Sequence, residues 1–179
     1  MGNSPLVSYT RLSPNHSGRR TCSISRITPH AVVGQLSVER ICDCFKDRRR
    51  QASCNYTIGA DGRIGLCVDE QNRSLCSSSR DNDQRAVTIE CASDLTEPYA
   101  MKPEVYSALV DLCVDICRRN GKKKLVWIAD RDEALRYEIK NGEMLLTVHR
   151  WFAKKSCPGN WLFGKLGDLA QAVNSRLGE

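Results

Sequence analysis

Hydrophobic positions along the chain repeat with two different periods. After Ser37, the residues Val38, Ile41, Cys42 and Phe45 recur at i, i+3, i+4 and i+7, which predicts a helix capped by Ser37 with one buried face. A second helical stripe runs through Val105, Leu109, Leu112, Cys113 and Ile116. It starts after Pro103, whose fixed φ suits a first turn, and stops at Asn120-Gly121. A third runs through Leu162, Leu166, Leu169, Val173 and Leu177. Strand patterns fall between them: Ile24 to His30, Ala86 to Ala92, Leu125 to Ile128, and Glu143 to Val148 after the turn signal Asn141-Gly142. Asn55–Ile58 and Arg63–Val68 flank Asp61-Gly62, a hairpin signal in which glycine supplies positive φ. Within Ala86–Ala92, Val87, Ile89 and Cys91 face one way and Ala86, Thr88, Glu90 and Ala92 the other, so Glu90 is placed mid-strand. Helices alternating with strands predict an α/β fold around a central mixed β-sheet flanked by helices.

Two stretches lack either period. Residues 1–22 are rich in Ser, Pro, Asn and Gly and are expected to form an N-terminal arm or peripheral loop; 69–84 is polar and is expected to be a surface loop. Residues 23–179 then make one domain, and a chain of 179 residues is long enough to bury a core. The formal charge of +6 points to an anionic partner: nucleic acid, a membrane surface or acidic wall polymers. Nucleic acid is disfavoured because the basic residues are dispersed apart from Arg48-Arg49-Arg50 and Lys122-Lys123-Lys124, read as solvated surface, and aromatic residues are scarce. No run approaches the ~20 apolar residues of a membrane span, so no membrane insertion is expected. The ten cysteines sit inside apolar-periodic segments and no secretory signal pattern is present, so they read as reduced packing residues. Cys42 and Cys44, a conceivable metal pair, lack a matching second pair and are read the same way. The opening Met1-Gly2 is not a myristoylation start, since Leu6 stands where that motif needs Ser or Thr.

The chemistry concentrates near the C-terminus. His149 and Cys157 are eight residues apart with Lys155 two before the cysteine, a spacing that supplies two donors of a catalytic zinc site, or equally a packed histidine and a buried thiol. A three-ligand site needs one more donor, and only His16, among turn formers, and His30, closing a predicted strand, remain as histidines. Glu90, flanked by Ile89 and Cys91, is a carboxylate that costs free energy unless it has a partner or a task.

These residues carry a resemblance. His149 to Gly159, with Ile27-Thr28-Pro29-His30, Cys54 to Gly62 and Thr88-Ile89-Glu90, resembles the type-2 N-acetylmuramoyl-L-alanine amidases, which include phage endolysins and share a fold with peptidoglycan recognition proteins. The likeness extends from about Ile27 to the last helix. It implies a zinc site at one edge of a surface groove, with Zn²⁺ held by His30 and His149 at strand ends and by Cys157 in a loop. It also implies Glu90 as general base and Lys155 as the cation facing the oxyanion. A second branch of the family uses a Tyr on the hairpin; that position falls on Cys54 here, and Tyr56 on a core position, which puts this chain with the Glu branch. Asn55, to hydrogen-bond, Arg73, to pair a peptide carboxylate, and Trp151, to pack, are the candidate substrate-binding residues from their place in the motifs.

The resemblance implies a zinc-dependent endolysin that cuts the amide between N-acetylmuramic acid and L-Ala of bacterial peptidoglycan. It is expected to be a monomer that stays in the bacterial host cytoplasm until lysis, and no separate wall-binding domain is recognised. Two other readings remain: a non-catalytic peptidoglycan-binding module of the same fold, and a hydrolase with Cys157 as nucleophile. The latter leaves His30 and Glu90 unused, and Pro158 lacks the backbone N–H an oxyanion hole would need.

Overall fold

The computed structural model of the chain describes residues 2–178. Its elements in order are β1 (Val7–Thr10), β2 (His16–Arg19), β3 (Arg26–Ala31), α1 (Val38–Asp43), β4 (Tyr56–Ile58), β5 (Ile64–Leu66), β6 (Asn72–Ser74), α2 (Arg80–Arg85), β7 (Ala86–Cys91), α3 (Pro103–Arg119), β8 (Lys124–Val126), α4 (Arg131–Arg136), β9 (Glu143–Leu146) and α5 (Gly159–Leu177). Seven strands form one sheet in the order β1-β5-β4-β7-β3-β9-β8, and β2 and β6 form a separate antiparallel ribbon. Within the large sheet only β4 and β5 pair antiparallel, as the Asp61-Gly62 hairpin predicts; Gly62 adopts φ of 82° at the turn. The sheet is therefore mixed, with helices packed on it, as the alternating periods predict.

The predicted helical stripes are the buried faces of real helices. Ser37 caps α1, and Val38, Ile41 and Cys42 are buried. α1 lies so close to the hairpin that a Cβ at Gly65 would sit 2.6 Å from Val38 Cγ2 and 2.5 Å from Thr57 Oγ1, so only glycine fits there. α3 and α5 pack on each other, and Leu109, Leu112, Ile116, Leu162, Leu166 and Leu169 are fully buried. Each such side chain contributes roughly 2 kcal/mol by leaving water.

α1 ends at Asp43, before Phe45, β8 ends at Val126, short of Ile128, and α4 falls where no element is predicted; three further regions differ more. Residues 1–22 are not a bare arm: β1 borders the sheet beside β5 with alternating burial, and Ser13 and Asn15 are buried with their side chains on the Phe45 carbonyl. Turn-forming composition hid this, because a four-residue edge strand needs only Val7 and Tyr9 against the core. Residues 69–84 hold β6 and α2 instead of a continuous loop. α2 shows no apolar stripe because its buried residues are Asn82, Asp83 and Gln84, and its start is secured by the Ser79 cap. Finally, β9 stops at Leu146, short of the predicted Val148, and His149 opens a 3-10 turn, His149–Trp151. No helix of the described residues is long and apolar enough to cross a membrane.

Candidate metal centre

Register across the sheet sets the first part of the site. His30 pairs with Glu90 between β3 and β7, and Glu90 pairs with Thr57 between β7 and β4, so the three side chains share one face. α1 covers the Thr57 part of that face. His30 lies at the carboxyl end of β3, where the chain leaves the sheet.

The second part comes from the segment after β9. The His149 ring packs edge-on to His30 with centroids 5.1 Å apart, and Cys157 Sγ lies 3.3 Å from His30 Nδ1. Arg150 holds this loop: its N–H donates to the Cys157 carbonyl at 3.1 Å, its guanidinium donates to the Ser156 carbonyl and Asn160, and it stacks over Phe163 at 4.9 Å. Donor atoms of His30, His149 and Cys157 consequently lie within 4.8 Å of one another.

A third contribution comes from the segment between β6 and α2. Asp83 accepts backbone N–H bonds from Cys76 (3.1 Å) and Ser77 (3.0 Å), which orders residues 76–78 against the cluster. Ser78 Oγ meets His149 Nε2 at 3.0 Å. With Nε2–H donating to that hydroxyl, Nδ1 keeps its lone pair for a metal, the outer-shell arrangement common for histidine ligands. Cys76 Sγ sits 3.8 Å from Glu90 Oε1.

Two buried side-chain atoms of the cluster have no hydrogen-bond partner, His30 Nε2 and Glu90 Oε2. Burial, then the charge of His149, depresses His30 to a pKa of about 3, so its imidazole is neutral. His149 is lowered by burial and by Lys155. Burial raises Glu90 to about 7, against smaller opposing effects of Cys76 and Arg50. Burial, then Glu90, pushes the Cys157 thiol up, with Arg150 and Lys155 pulling the other way. Two neutral imidazoles and a thiol that can yield its proton to a cation form a donor set suited to zinc, and the residues present fit that ion.

The other sequence candidates divide. Lys155 is exposed on the loop before Cys157, and its charge is felt by both His149 and Cys157. Asn55 is fully buried and its amide is used internally: Nδ2 donates to the carbonyls of Val68, Asp69 and Asn72, while Oδ1 accepts from Arg20 and the Thr88 N–H. It ties neighbouring segments together and is closed off from solvent. Trp151 is also a correction: it is buried and stacks on Trp127 at 5.4 Å with parallel planes. Arg73 lies on β6 with Nε on Ser17 Oγ at 2.5 Å, bracing the β2–β6 ribbon. His16 is exposed on β2 and outside the cluster, where Nδ1 accepts the Gly18 N–H. Cys54 and Tyr56 are fully buried. Cys76, Ser78 and Arg150 went unread in the sequence: the first two sit in a stretch with no period, and Arg150 resembles any surface cation until the loop folds.

A cavity of about 260 Å³ lined by Arg19, Arg20, Glu70 and Lys122 among others includes none of these residues. It is a surface hollow near the N-terminal strands, separate from the His30 cluster.

Comparison with known proteins bears on the same region. The family described as N-acetylmuramoyl-L-alanine amidase matches residues 20–160. Comparison with curated protein sequences gives no match. Among solved structures, that of PlyL is similar at 13% identity and a TM-score of 0.64, covering 92% of this chain and 95% of that one. The endolysin N-acetylmuramoyl-L-alanine amidase LysCS from Clostridium intestinale URNW is 18% identical with a TM-score of 0.57, covering 96% and 97%. The Staphylococcus aureus hydrolase AmiA in complex with its ligand is 13% identical with a TM-score of 0.64, covering 98% and 84%. At these identities the likeness establishes the fold.

Proposed function

The chain belongs to the N-acetylmuramoyl-L-alanine amidase family, and from that premise we propose that it is a zinc-dependent amidase cleaving the bond between N-acetylmuramic acid and L-Ala in bacterial peptidoglycan. The observation that carries this reading is the convergence of His30, His149 and Cys157 from distant parts of the chain, next to the unpartnered carboxylate oxygen of Glu90. Those three residues would hold the ion, which supplies Lewis acidity toward the scissile carbonyl and acidifies water.

The remaining work falls to side chains of the protein. Glu90, raised to about 7, is poised to take a proton from the attacking water near neutral pH and return it to the departing amine nitrogen. Exposed Lys155 presents its ammonium to the developing oxyanion. Ser78 and Arg150 position the His149 ring and the Cys157 loop. A binding module of the same fold would have no use for a buried Glu90 with one oxygen left unpartnered, which favours catalysis. The net charge of +6 suits an acidic wall as target, and the biological setting we infer is an endolysin held as a monomer in the host cytoplasm until lysis.

Digestion of purified peptidoglycan, with and without a chelator, followed by mass spectrometry of the new ends tests this. Stem peptides beginning with L-Ala, lost on chelation and restored by zinc, are the expected products. Wall that stays intact with protein bound to it would make the chain a recognition module, and cleavage insensitive to chelation would remove the metal.

A further inference from the structure

Cys76 brings a second thiol to the cluster, from the side facing Glu90. Donor atoms of His30, Cys76 and Glu90 lie within 4.8 Å of one another, a second metal-competent set that shares only His30 with the first. Two unpartnered buried side-chain atoms, His30 Nε2 and Glu90 Oε2, belong to residues of this set. The Cys76 Sγ to Glu90 Oε1 separation is 3.8 Å. A tetrahedral zinc with ordinary Zn–S and Zn–O bonds would hold the two about 3.6 Å apart. Asp83 fixes the Cys76 backbone, so the thiol is presented by a built loop.

We propose that His30, Cys76 and Glu90 form an inner position for a zinc-class dication, in competition with the outer set of His30, His149 and Cys157. The competition follows from His30: a neutral imidazole has a single ring-nitrogen lone pair to give, so one ion holds it at a time. Cysteine, histidine and carboxylate together select zinc or cobalt over magnesium or calcium. An ion in the inner position uses the Glu90 carboxylate as a ligand and withdraws it from proton transfer. Excess zinc is therefore inhibitory. That consequence rests on the amidase reading; the metal position does not.

The test uses the full-length Cys157→Ala chain, stripped of metal by dialysis and titrated with Co²⁺. The expected result is one Co²⁺ per chain with a thiolate-to-cobalt charge-transfer band, although the outer set has lost its only thiol. Adding Cys76→Ser should remove the band, and adding Glu90→Gln should weaken Co²⁺ binding tenfold or more while keeping it. Circular dichroism confirms folding of each variant, and should the Cys76→Ser chain not fold, the Glu90→Gln affinity decides. The proposal is overturned by a Cys157→Ala chain without a thiolate band, by a band that survives Cys76→Ser, or by affinity indifferent to Glu90→Gln. A band in the unsubstituted chain that vanishes in Cys157→Ala refutes the inner position alone. Absence of metal binding by the unsubstituted chain refutes the outer site, and with it the amidase's zinc.

Discussion

Two buried polar clusters lie on opposite faces of the same sheet, and they are finished differently. Around Tyr56, the hydroxyl donates to Glu70 Oε2 at 2.6 Å and accepts the Ser4 N–H at 2.9 Å. Arg119 bonds both Glu70 oxygens, at 3.0 and 2.7 Å, and Asn120 adds a further bond. Around His30, one register position away on the other face, His30 Nε2 and Glu90 Oε2 are sealed from water with no partner. Leaving a buried polar group unpaired costs about 1–3 kcal/mol, a demand that is met around Glu70 and left unmet at His30 and Glu90. The contrast is the one expected between a structural carboxylate, Glu70, and the general base we propose, Glu90.

The contrast can be broken at several points. The largest effect is expected at His149→Ala: hydrolysis of peptidoglycan should fall about a thousandfold or more, roughly 4 kcal/mol of barrier, while denaturant unfolding of the metal-free protein changes by less than about 1 kcal/mol. Equal losses of stability and activity would make His149 a packing residue.

Glu90→Gln should lower turnover about a hundredfold or more with metal content retained, measured by elemental analysis. The same substitution sharpens the comparison through pH. In the metal-free protein Glu90 keeps its proton to about 7, against the ordinary 4.5. The stability it contributes is thus full below pH 4.5 and is lost as pH rises through 7. His30, held to about 3 from 6.5, acts in the opposite sense: its contribution is full above 6.5 and is lost as pH falls through 3. The difference between wild type and Glu90→Gln isolates the carboxylate, and it should fall by about 3 kcal/mol between those limits. A flat difference would mean that Glu90 is solvated.

At the satisfied cluster, Glu70→Gln should cost about 2–3 kcal/mol of stability by leaving Arg119 half-buried without its main partner, yet leave the turnover of folded protein unchanged. Chemical denaturation and a rate per folded molecule check both halves. The smallest effect is expected at Ser78→Ala, where loss of the bond to His149 should weaken zinc affinity about tenfold in a competition titration with a chelating dye, with no change in melting temperature.

How much was legible follows from which residues carry a local signal. The stripes of α1, α3 and α5, the Asp61-Gly62 hairpin and the mid-strand position of Glu90 depend on periodicity and turn chemistry, which act between near neighbours, and the structure has them where the pattern puts them. β1 and α2 were missed because short polar elements lean on caps and on partners far along the chain, such as the Phe45 carbonyl for Ser13 and Asn15. The inward placement of Asn55 and Trp151 is hidden for the same reason, since an Asn near a motif looks alike whether it faces solvent or bonds Val68, Asp69 and Asn72.

The amino-acid sequence by itself determined the α/β class, the amphipathic helices, the hairpin and the short roster of residues able to bind a metal, because three histidines leave few choices and hydrophobic spacing dictates which faces are buried. Only the tertiary structure decided which of those residues meet. Parallel pairing of β3 with β7 sets His30 beside Glu90, Arg150 folds the Cys157 loop back onto His30, and Asp83 turns a featureless polar stretch into the wall that carries Cys76 and Ser78. Those juxtapositions join residues up to 127 positions apart, and no local propensity encodes a contact of that span.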